Sequence, residues 1–270
     1  MDNNQRVGIL KQNLPLLDFN SAKKKFEQLI CEFDVDEQGG SAVFLIQKSQ
    51  AMLGEICLQG IQDTIRVKPG ETLKPYRLEF FPGVTWDEKE ILRALGKQLG
   101  KFEEVTDIDR YAQEIRKILI GALRGYTTLF IELHGWDILT EQQQKRLLHW
   151  FLEDFWKHLV AERDRIAEDY DNVRCIAAIV VAGELEPDLQ QLPYFQCTSE
   201  NWQGEIKIIE LPLENWTTKD IEEWLKKCPK LSKKDSKAMA ERIYRITKGL
   251  PIAARDRLEK ELQIYCPIAS

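Results

Sequence analysis

The sequence lacks several features that would define a functional class at once. No stretch approaches the roughly 18 consecutive apolar residues of a membrane-spanning helix, and "MDNNQRVGIL" at the start lacks the apolar core of a signal peptide. There are six cysteines, and the closest two, Cys175 and Cys197, are 22 residues apart, so CxxC motifs and zinc-ribbon spacing are absent. We therefore expect a cytoplasmic protein from a reducing compartment, without a membrane segment.

Patterns typical of catalysis and metal binding are also missing. There are three histidines, and His149 and His158 are nine residues apart, so they do not have the i, i+4 spacing of paired zinc ligands on a helix. No Ser-His-Asp or Cys-His arrangement is legible. The sequence thus predicts no catalytic residue, no metal site and no cofactor.

The net charge of −6 argues against a general nucleic-acid binder. One cluster of lysines is locally basic despite the net negative charge. It consists of Lys226, Lys227, Lys230, Lys233, Lys234 and Lys237. Partner aromatics and a broader basic face would be needed for nucleic-acid binding, so we interpret the cluster as a solvated helix–loop–helix. A nucleic-acid-binding module that uses these lysines remains an open alternative.

Strand and helix patterns alternate along most of the chain. The predicted strands are Val43–Ile46, Arg77–Phe81, Thr127–Leu133, Val173–Gly183 and Glu205–Leu211. Three of them are short apolar blocks without period-2 alternation, which is typical of parallel strands covered on both faces. The predicted helices between them are Asp87–Leu99, Ile108–Leu123 and Thr140–Ile166. This order predicts an α/β fold with right-handed βαβ units and a parallel five-stranded sheet flanked by helices.

After Leu211 only helical patterns follow. Thr217 or Thr218 can cap one helix, another runs over 235–247, and Gly249 with Pro251 fits a helix end followed by a new helix start. We therefore predict a division into an N-terminal helical extension (1–40, with the amphipathic stretch "FNSAKKKFEQLICEF"), an α/β domain (41–212) and a small helical lid (213–270).

The strand–turn–helix "AVFLIQKSQAMLGEICLQGIQD" has the layout of a phosphate-binding loop. A working loop reads G-x-x-x-x-G-K-[ST], in which backbone N–H groups cradle the phosphates, Lys reaches the β and γ phosphates and the hydroxyl binds Mg²⁺. With the second glycine placed on Gly54, the first glycine position is Ser49, the lysine position is Glu55 and the hydroxyl position is Ile56. Only one of the four required residue types is present.

The exchange at the lysine position has the largest consequence. A charge pair at 4 Å is worth about 4 kcal/mol at an effective dielectric constant near 20, and an acid turns that attraction into repulsion. Glu55 also suits the first turn of a helix, where a carboxylate gains about 0.3–1 kcal/mol from the helix dipole. The sequence therefore predicts a vestigial loop, although backbone amides of residues 47–53 could still bind an anion without help from side chains.

A second degenerate motif follows the third predicted strand, in "LFIELHGWDIL". It resembles the acidic strand of the signal-transduction ATPases with numerous domains (STAND), which include the NACHT group and read Asp-Gly-hydrophobic-Asp-Glu after an apolar strand. Gly135 and Asp137 match, whereas His134 replaces the metal-associated Asp and Ile138 replaces the Glu. Glu132 is a candidate for a displaced acidic group, and neutral imidazole is a poor ligand for Mg²⁺.

Further segments in the same order, "IAAIVVAG", "IIELPLENWTTKDIEEWL" and "ITKGLPIAARDRLEKEL", resemble the following strands and the lid of these ATPases. The resemblance is to the inactive branch, inactive STAND. It implies a P-loop NTPase-like fold that has lost hydrolysis and serves as an interaction or regulatory module in a prokaryotic signalling or defence protein, with a protein partner or a fused effector domain. A Mg²⁺-independent nucleotide-binding switch is the alternative.

Overall fold

The computed structural model describes residues 19–35, 39–101, 104–195, 207–226 and 231–265. Lys227 and Lys230 of the basic cluster and the first residues of the fifth predicted strand lie outside these ranges. Within them, no helix is long and apolar enough to cross a membrane.

All five predicted strands are present in one parallel sheet. They are β1 Gly39–Ile46, β2 Thr72–Glu79, β3 Thr127–His134, β4 Val173–Val180 and β5 Ile208–Glu210. The order across the sheet is β2-β3-β4-β1-β5, and every neighbouring pair is parallel. The predicted α/β fold with a parallel five-stranded sheet is therefore confirmed.

The central strands are covered on both faces, as their unbroken apolar runs predict. All eight residues of β3 and of β4 are buried. Alternate residues of β1 and β4 enter two separate cores, with Val43 and Cys175 in one and Phe44 and Ile176 in the other. The sheet is thus the middle layer of three.

The edge strand β2 begins five residues before the predicted Arg77. Most of its side chains are exposed or half-buried, and it contains Pro75. Because an edge strand leaves one row of backbone groups unpaired, it tolerates both proline and polar residues, which hide it from a search for apolar runs. At the other end of the predicted range, Phe80 N still donates to His134 O at 2.9 Å.

Four helices lie on the first face, and side chains cap the first three of them. They are α4 Glu88–Gln98, α5 Ile108–Gly121, α6 Glu141–His149 and α7 Lys157–Ile166. Asp87 and Asp107 cap α4 and α5, and Thr140 forms a capping box with Gln143 at α6. Each of these side chains accepts a hydrogen bond from a backbone N–H group that has no partner within the helix. The caps therefore fix where these three helices begin.

The predicted continuous helix over 140–166 contains a π-helical segment, Trp150–Trp156, between α6 and α7. Its aromatic rings lie five residues apart in two pairs, with centroids 5.8 Å apart for Trp150 and Phe155 and 6.0 Å for Phe151 and Trp156. The wider turn of a π-helix places residues i and i+5 close together, so these large rings can pack in one buried layer. Helical periodicity alone did not predict this widening.

The second face is covered by α1 Asn20–Val35 and α3 Gly54–Val67, together with a C-terminal helical unit. That unit contains α9 Thr218–Lys226, α10 Lys233–Thr247 and α11 Pro251–Tyr265, and short helical turns elsewhere are α2 Ser49–Met52 and α8 Pro187–Gln190. Trp216, Ile221 and Leu258 belong to the same apolar core as Phe44 of β1. The helical patterns predicted after Leu211 are present as these three helices, and α11 contacts the short turn α2.

Gly249 fixes the entry into α11. Its φ is +75°, and a Cβ there would lie 2.0 Å from Trp216 O. Gly249 O in turn accepts from Trp216 N at 2.8 Å. This reciprocal contact between two loops requires a residue without a side chain.

Candidate functional site

The turn after β1 closes on itself instead of forming an open loop. Lys48 and Leu53 have left-handed backbone conformations, with φ of 55° at each, and between them Ser49–Met52 forms one helical turn, α2. Gly54 then begins α3. Two left-handed residues reverse the chain twice, so the turn folds back onto the start of the helix.

The backbone N–H groups of this turn are already bound by carbonyl oxygens. Lys48 N donates to Gly183 O at 2.5 Å and Ser49 N donates to Val181 O at 2.9 Å. A longer contact of 3.4 Å joins Gln50 N to Ala182 O. Residues 181–183, which leave the sheet directly after β4, thus supply oxygen atoms to the amides that a phosphate loop would offer to its ligand.

The later backbone N–H groups of the turn donate hydrogen bonds to carbonyl oxygens of the turn itself. Met52 N donates to Lys48 O at 2.9 Å, and Leu53 N donates to Ser49 O. The predicted site residues Ser49 and Gly54 do come together, but in close packing. A Cβ at Gly54 would lie 2.7 Å from Ser49 Cβ and 2.8 Å from Ile46 Cγ2.

Asp137 secures the segment from the opposite side. Its Oδ1 accepts from Ala182 N at 3.1 Å and its Oδ2 accepts from Gly183 N at 3.0 Å. Gln47 Oε1 accepts from Leu185 N at 2.8 Å. The acidic residue predicted after β3 therefore binds the backbone of residues 182–183, and both the donors and the acceptors of this segment are used.

Glu55, at the lysine position, lies in the first turn of α3 and belongs to an ion-pair group. Its Oε1 accepts from Arg77 Nη2 at 3.1 Å, and the same nitrogen donates to Glu79 Oε1 at 3.1 Å. Partial burial lowers the pKa of Arg77, but hydrogen bonds and charges from Glu79 and Glu55 outweigh it and raise that pKa. Ile56, at the hydroxyl position, packs against the apolar core of the second face.

Glu132 and His134 point to the same side of β3 because strand side chains alternate with a period of two. Glu132 Oε2 lies 2.7 Å from His134 Nε2, and its Oε1 accepts from Gln62 Nε2 at 2.6 Å. Glu132 is buried among these partners. Both carboxylate oxygens therefore have hydrogen-bond partners inside the protein, as buried polar groups require.

Sequence reasoning missed three contributors to this site. Gln62 lies two turns along α3 from Gly54, Arg77 lies on the edge strand, and residues 181–183 were assigned to the fourth strand. No sequence motif identifies them, because they reach the site only through the way the chain folds. The one available signal was the apolar-to-small change at "VVAG", which fits a chain that leaves a sheet.

A cleft of about 540 Å³ opens next to the turn. It lies outside the carboxyl ends of the strands, where ligands bind in open α/β sheets. Glu55, Glu79 and His134 contribute its polar wall, and Phe81 and Ile138 lie among its apolar lining. A second cleft, of about 550 Å³, lies between Lys48 and Leu250 on the other side of the turn. Across the described ranges, no three His, Cys, Asp or Glu side chains are placed to hold a metal ion.

Fold and site together define the class of protein. A parallel sheet in the order β2-β3-β4-β1-β5, a turn from the β1 end into α3, and an acidic residue after β3 make a P-loop NTPase-like fold. Residues 14–177, more than half of the chain, match the family model described as inactive STAND. The chain belongs to the inactive STAND family.

Two solved structures are similar at low sequence identity. A chain of "Structure of Drosophila ORC bound to DNA" is 12% identical with a TM-score of 0.45, covering 89% of this chain and 55% of that one. The Aeropyrum pernix ORC2 protein in ADPNP–ADP complexes is 9% identical with a TM-score of 0.44, covering 88% of this chain and 66% of that one. The chain thus spans less than two thirds of either relative. No curated protein matches the sequence.

Proposed function

We propose that the protein is a non-hydrolysing interaction or regulatory module of a cytoplasmic, prokaryotic signalling or defence protein. Its partner would be another protein or a fused effector domain. Membership of the inactive STAND family supports the loss of activity. The proposal depends chiefly on the closed turn, because Lys48 N and Ser49 N donate to Gly183 O and Val181 O, oxygen atoms of the chain itself.

Electrostatics supports the same proposal. Glu55 stands at the position where a base would meet the β and γ phosphates, and it is 62% exposed. Arg77 offsets part of its charge, but that guanidinium is shared with Glu79. A triphosphate entering beside two carboxylates would meet repulsion rather than a cationic clamp.

Thermal unfolding with nucleotides tests the loss of binding. A ligand at 100 times its Kd stabilises by about 2.7 kcal/mol, which raises the Tm of a domain of this size by roughly 5–10 °C. We expect no rise with 1 mM ATP, ADP or GTP, whether Mg²⁺ is present or absent. A rise in EDTA alone would instead support the Mg²⁺-independent nucleotide switch, and a rise that needs Mg²⁺ would overturn both readings.

A further inference from the structure

One side of the cleft beside Glu55 presents hydrogen-bond acceptors. His134 is 4% exposed and lines the cleft. Its Nε2 lies 2.7 Å from Glu132 Oε2, and the neutral tautomer that donates to this oxygen has its proton on Nε2. In the neutral ring, Nδ1 is then an acceptor.

The acceptor His134 Nδ1 lies near a second acceptor, a carboxylate oxygen of Glu55. His134 Nδ1 and Glu55 Oε1 are 3.6 Å apart, which is beyond hydrogen-bond distance. A single group with two N–H donors in one plane can bridge two acceptors at this separation. A guanidinium has this planar fork of donors, whereas an ammonium acts as a point charge.

The charge balance of the cleft also favours a cation. Two carboxylates line it, Glu55 and Glu79, and one guanidinium, Arg77, bonds both of them. Arg255 also lines the cleft, but its Nη2 donates to Asp256 Oδ1 at 2.8 Å. The carboxylates therefore exceed the cations that are free to neutralise them.

The rim of the cleft is apolar and exposed. Phe81 is 51% exposed, Ile138 is 44% exposed, and both line the opening. Val84, at 45% exposure, follows in the same loop after β2. Exposed apolar side chains grouped around a polar pocket are typical of protein interaction sites. A small cation alone would leave these apolar side chains exposed, so a larger partner fits the cleft better.

We propose that this cleft binds a segment of a partner polypeptide that presents an arginine between apolar side chains. The guanidinium bridges His134 Nδ1 and Glu55, and the neighbouring apolar side chains cover Phe81 and Ile138. This inference rests on the proposed function as an interaction module and names its surface and the chemistry of its partner.

The test is fluorescence anisotropy with a pool of capped, labelled seven-residue peptides. Each has a central arginine, with leucine, isoleucine, phenylalanine or methionine alternating with serine on either side. The matched pools have norleucine or glutamate at the centre. We expect the arginine pool to bind at least tenfold more tightly than either, and arginine amide alone to bind at least tenfold more weakly than the pool.

Variants of the protein locate the binding. Glu55→Gln should weaken binding of the arginine pool at least tenfold, while Glu141→Gln should leave it unchanged. Glu141 is a matched control, since it is also an exposed first-turn carboxylate paired with a cation, Lys145. Phe81→Ser should weaken binding, whereas Ile246→Ser, at an exposed isoleucine outside the cleft lining, should not.

Three outcomes would overturn the proposal: equal binding of the three pools, equal affinity of the Glu55→Gln variant and the unchanged protein, or arginine amide as strong as the pool. The last would identify a small cationic ligand instead. These outcomes are separate from the nucleotide test, because a Tm rise with ATP contradicts the proposed function and leaves the peptide measurements unaffected.

Discussion

At the scale of single residues, the exchange of lysine for Glu55 is only part of what closes the vestigial site. The amides of Lys48 and Ser49 are bound by the carbonyls of residues 181–183, and Asp137 binds the amides of Ala182 and Gly183. Restoring side chains changes neither set of hydrogen bonds. Backbone occupancy and side-chain loss are therefore independent obstacles to a nucleotide.

This independence predicts the behaviour of a partly restored loop. Glu55→Lys combined with Ile56→Thr supplies the missing lysine and hydroxyl, yet we expect no ATP binding up to millimolar concentration by calorimetry, because the carbonyls still occupy the amides. Glu141→Lys is the control for a general gain of positive charge. Millimolar or tighter affinity confined to the double variant would show that residues 181–183 move aside easily.

Asp137 is predicted to stabilise the fold instead of serving chemistry. Asp137→Ala removes two charge-assisted hydrogen bonds from a half-buried site, and we expect a loss of about 1–3 kcal/mol in the free energy of unfolding. Urea denaturation measures it. Asp169→Ala, at an exposed carboxylate, should change stability by less than about 0.5 kcal/mol. Equal losses in the two variants would contradict the assigned role.

At the scale of elements, the sequence predicted what periodicity and capping decide. The five strands, the starts of α4 and α6, and the break at Gly249 follow from apolar runs, from Asp87 and Thr140, and from a glycine before proline. The early start of β2 and the π-helical segment depend on edge position and ring packing. Those are tertiary effects, and no local pattern encodes them.

The same limit applies to the candidate site. The positions Ser49, Gly54, Glu55 and Ile56 could be aligned because a strand–turn–helix is a local feature. The partner of Glu55 could not be predicted, because Arg77 is 22 residues away along the chain and lies on strand β2. The sequence analysis did not pair Glu132 with His134, although the period-two rule places both on one side of β3.

The junction between the C-terminal unit and the sheet face gives an element-scale prediction. Gly249→Ala adds a Cβ 2.0 Å from Trp216 O and also strains a φ of +75°. Gly100→Ala strains a φ of +74° with nothing within 4 Å. We expect about 1–2 kcal/mol of destabilisation at Gly100 and at least about 2 kcal/mol more at Gly249, measured by urea denaturation. Similar losses would show that the contact with Trp216 relaxes freely.

At the scale of the whole molecule, two buried thiols lie on opposite faces of the sheet. Cys57 belongs to the core under the C-terminal helices, and Cys175 belongs to the core under α4–α7. Burial raises the pKa of each thiol from 9.0 to about 12. Both therefore stay protonated in the folded protein at pH values where the unfolded chain has lost these protons.

The sign of the pH dependence follows from this difference. Between about pH 9 and pH 12 the unfolded state binds fewer protons than the folded state, so stability falls as pH rises, by up to about 1.4 kcal/mol per pH unit for each thiol. Below pH 9 the thiols contribute no slope. Comparing urea unfolding of Cys175→Ala with the unchanged protein at pH 8, 9 and 10 should show a smaller alkaline loss in the variant. Identical slopes would contradict burial of this thiol.

The two thiols also report whether both cores unfold together. Phe44, Phe130 and Ile176 face one core while their neighbours along the same strands face the other, so neither face can open without disturbing the shared sheet. We therefore expect Cys57 and Cys175 to react with a thiol reagent at the same slow rate across a urea series, read by mass spectrometry of each peptide, while exposed Cys31 reacts at once. Faster labelling of Cys57 alone would mean that the C-terminal helices detach as a separate unit, which would make the lid, and not the whole domain, the element that a partner could displace.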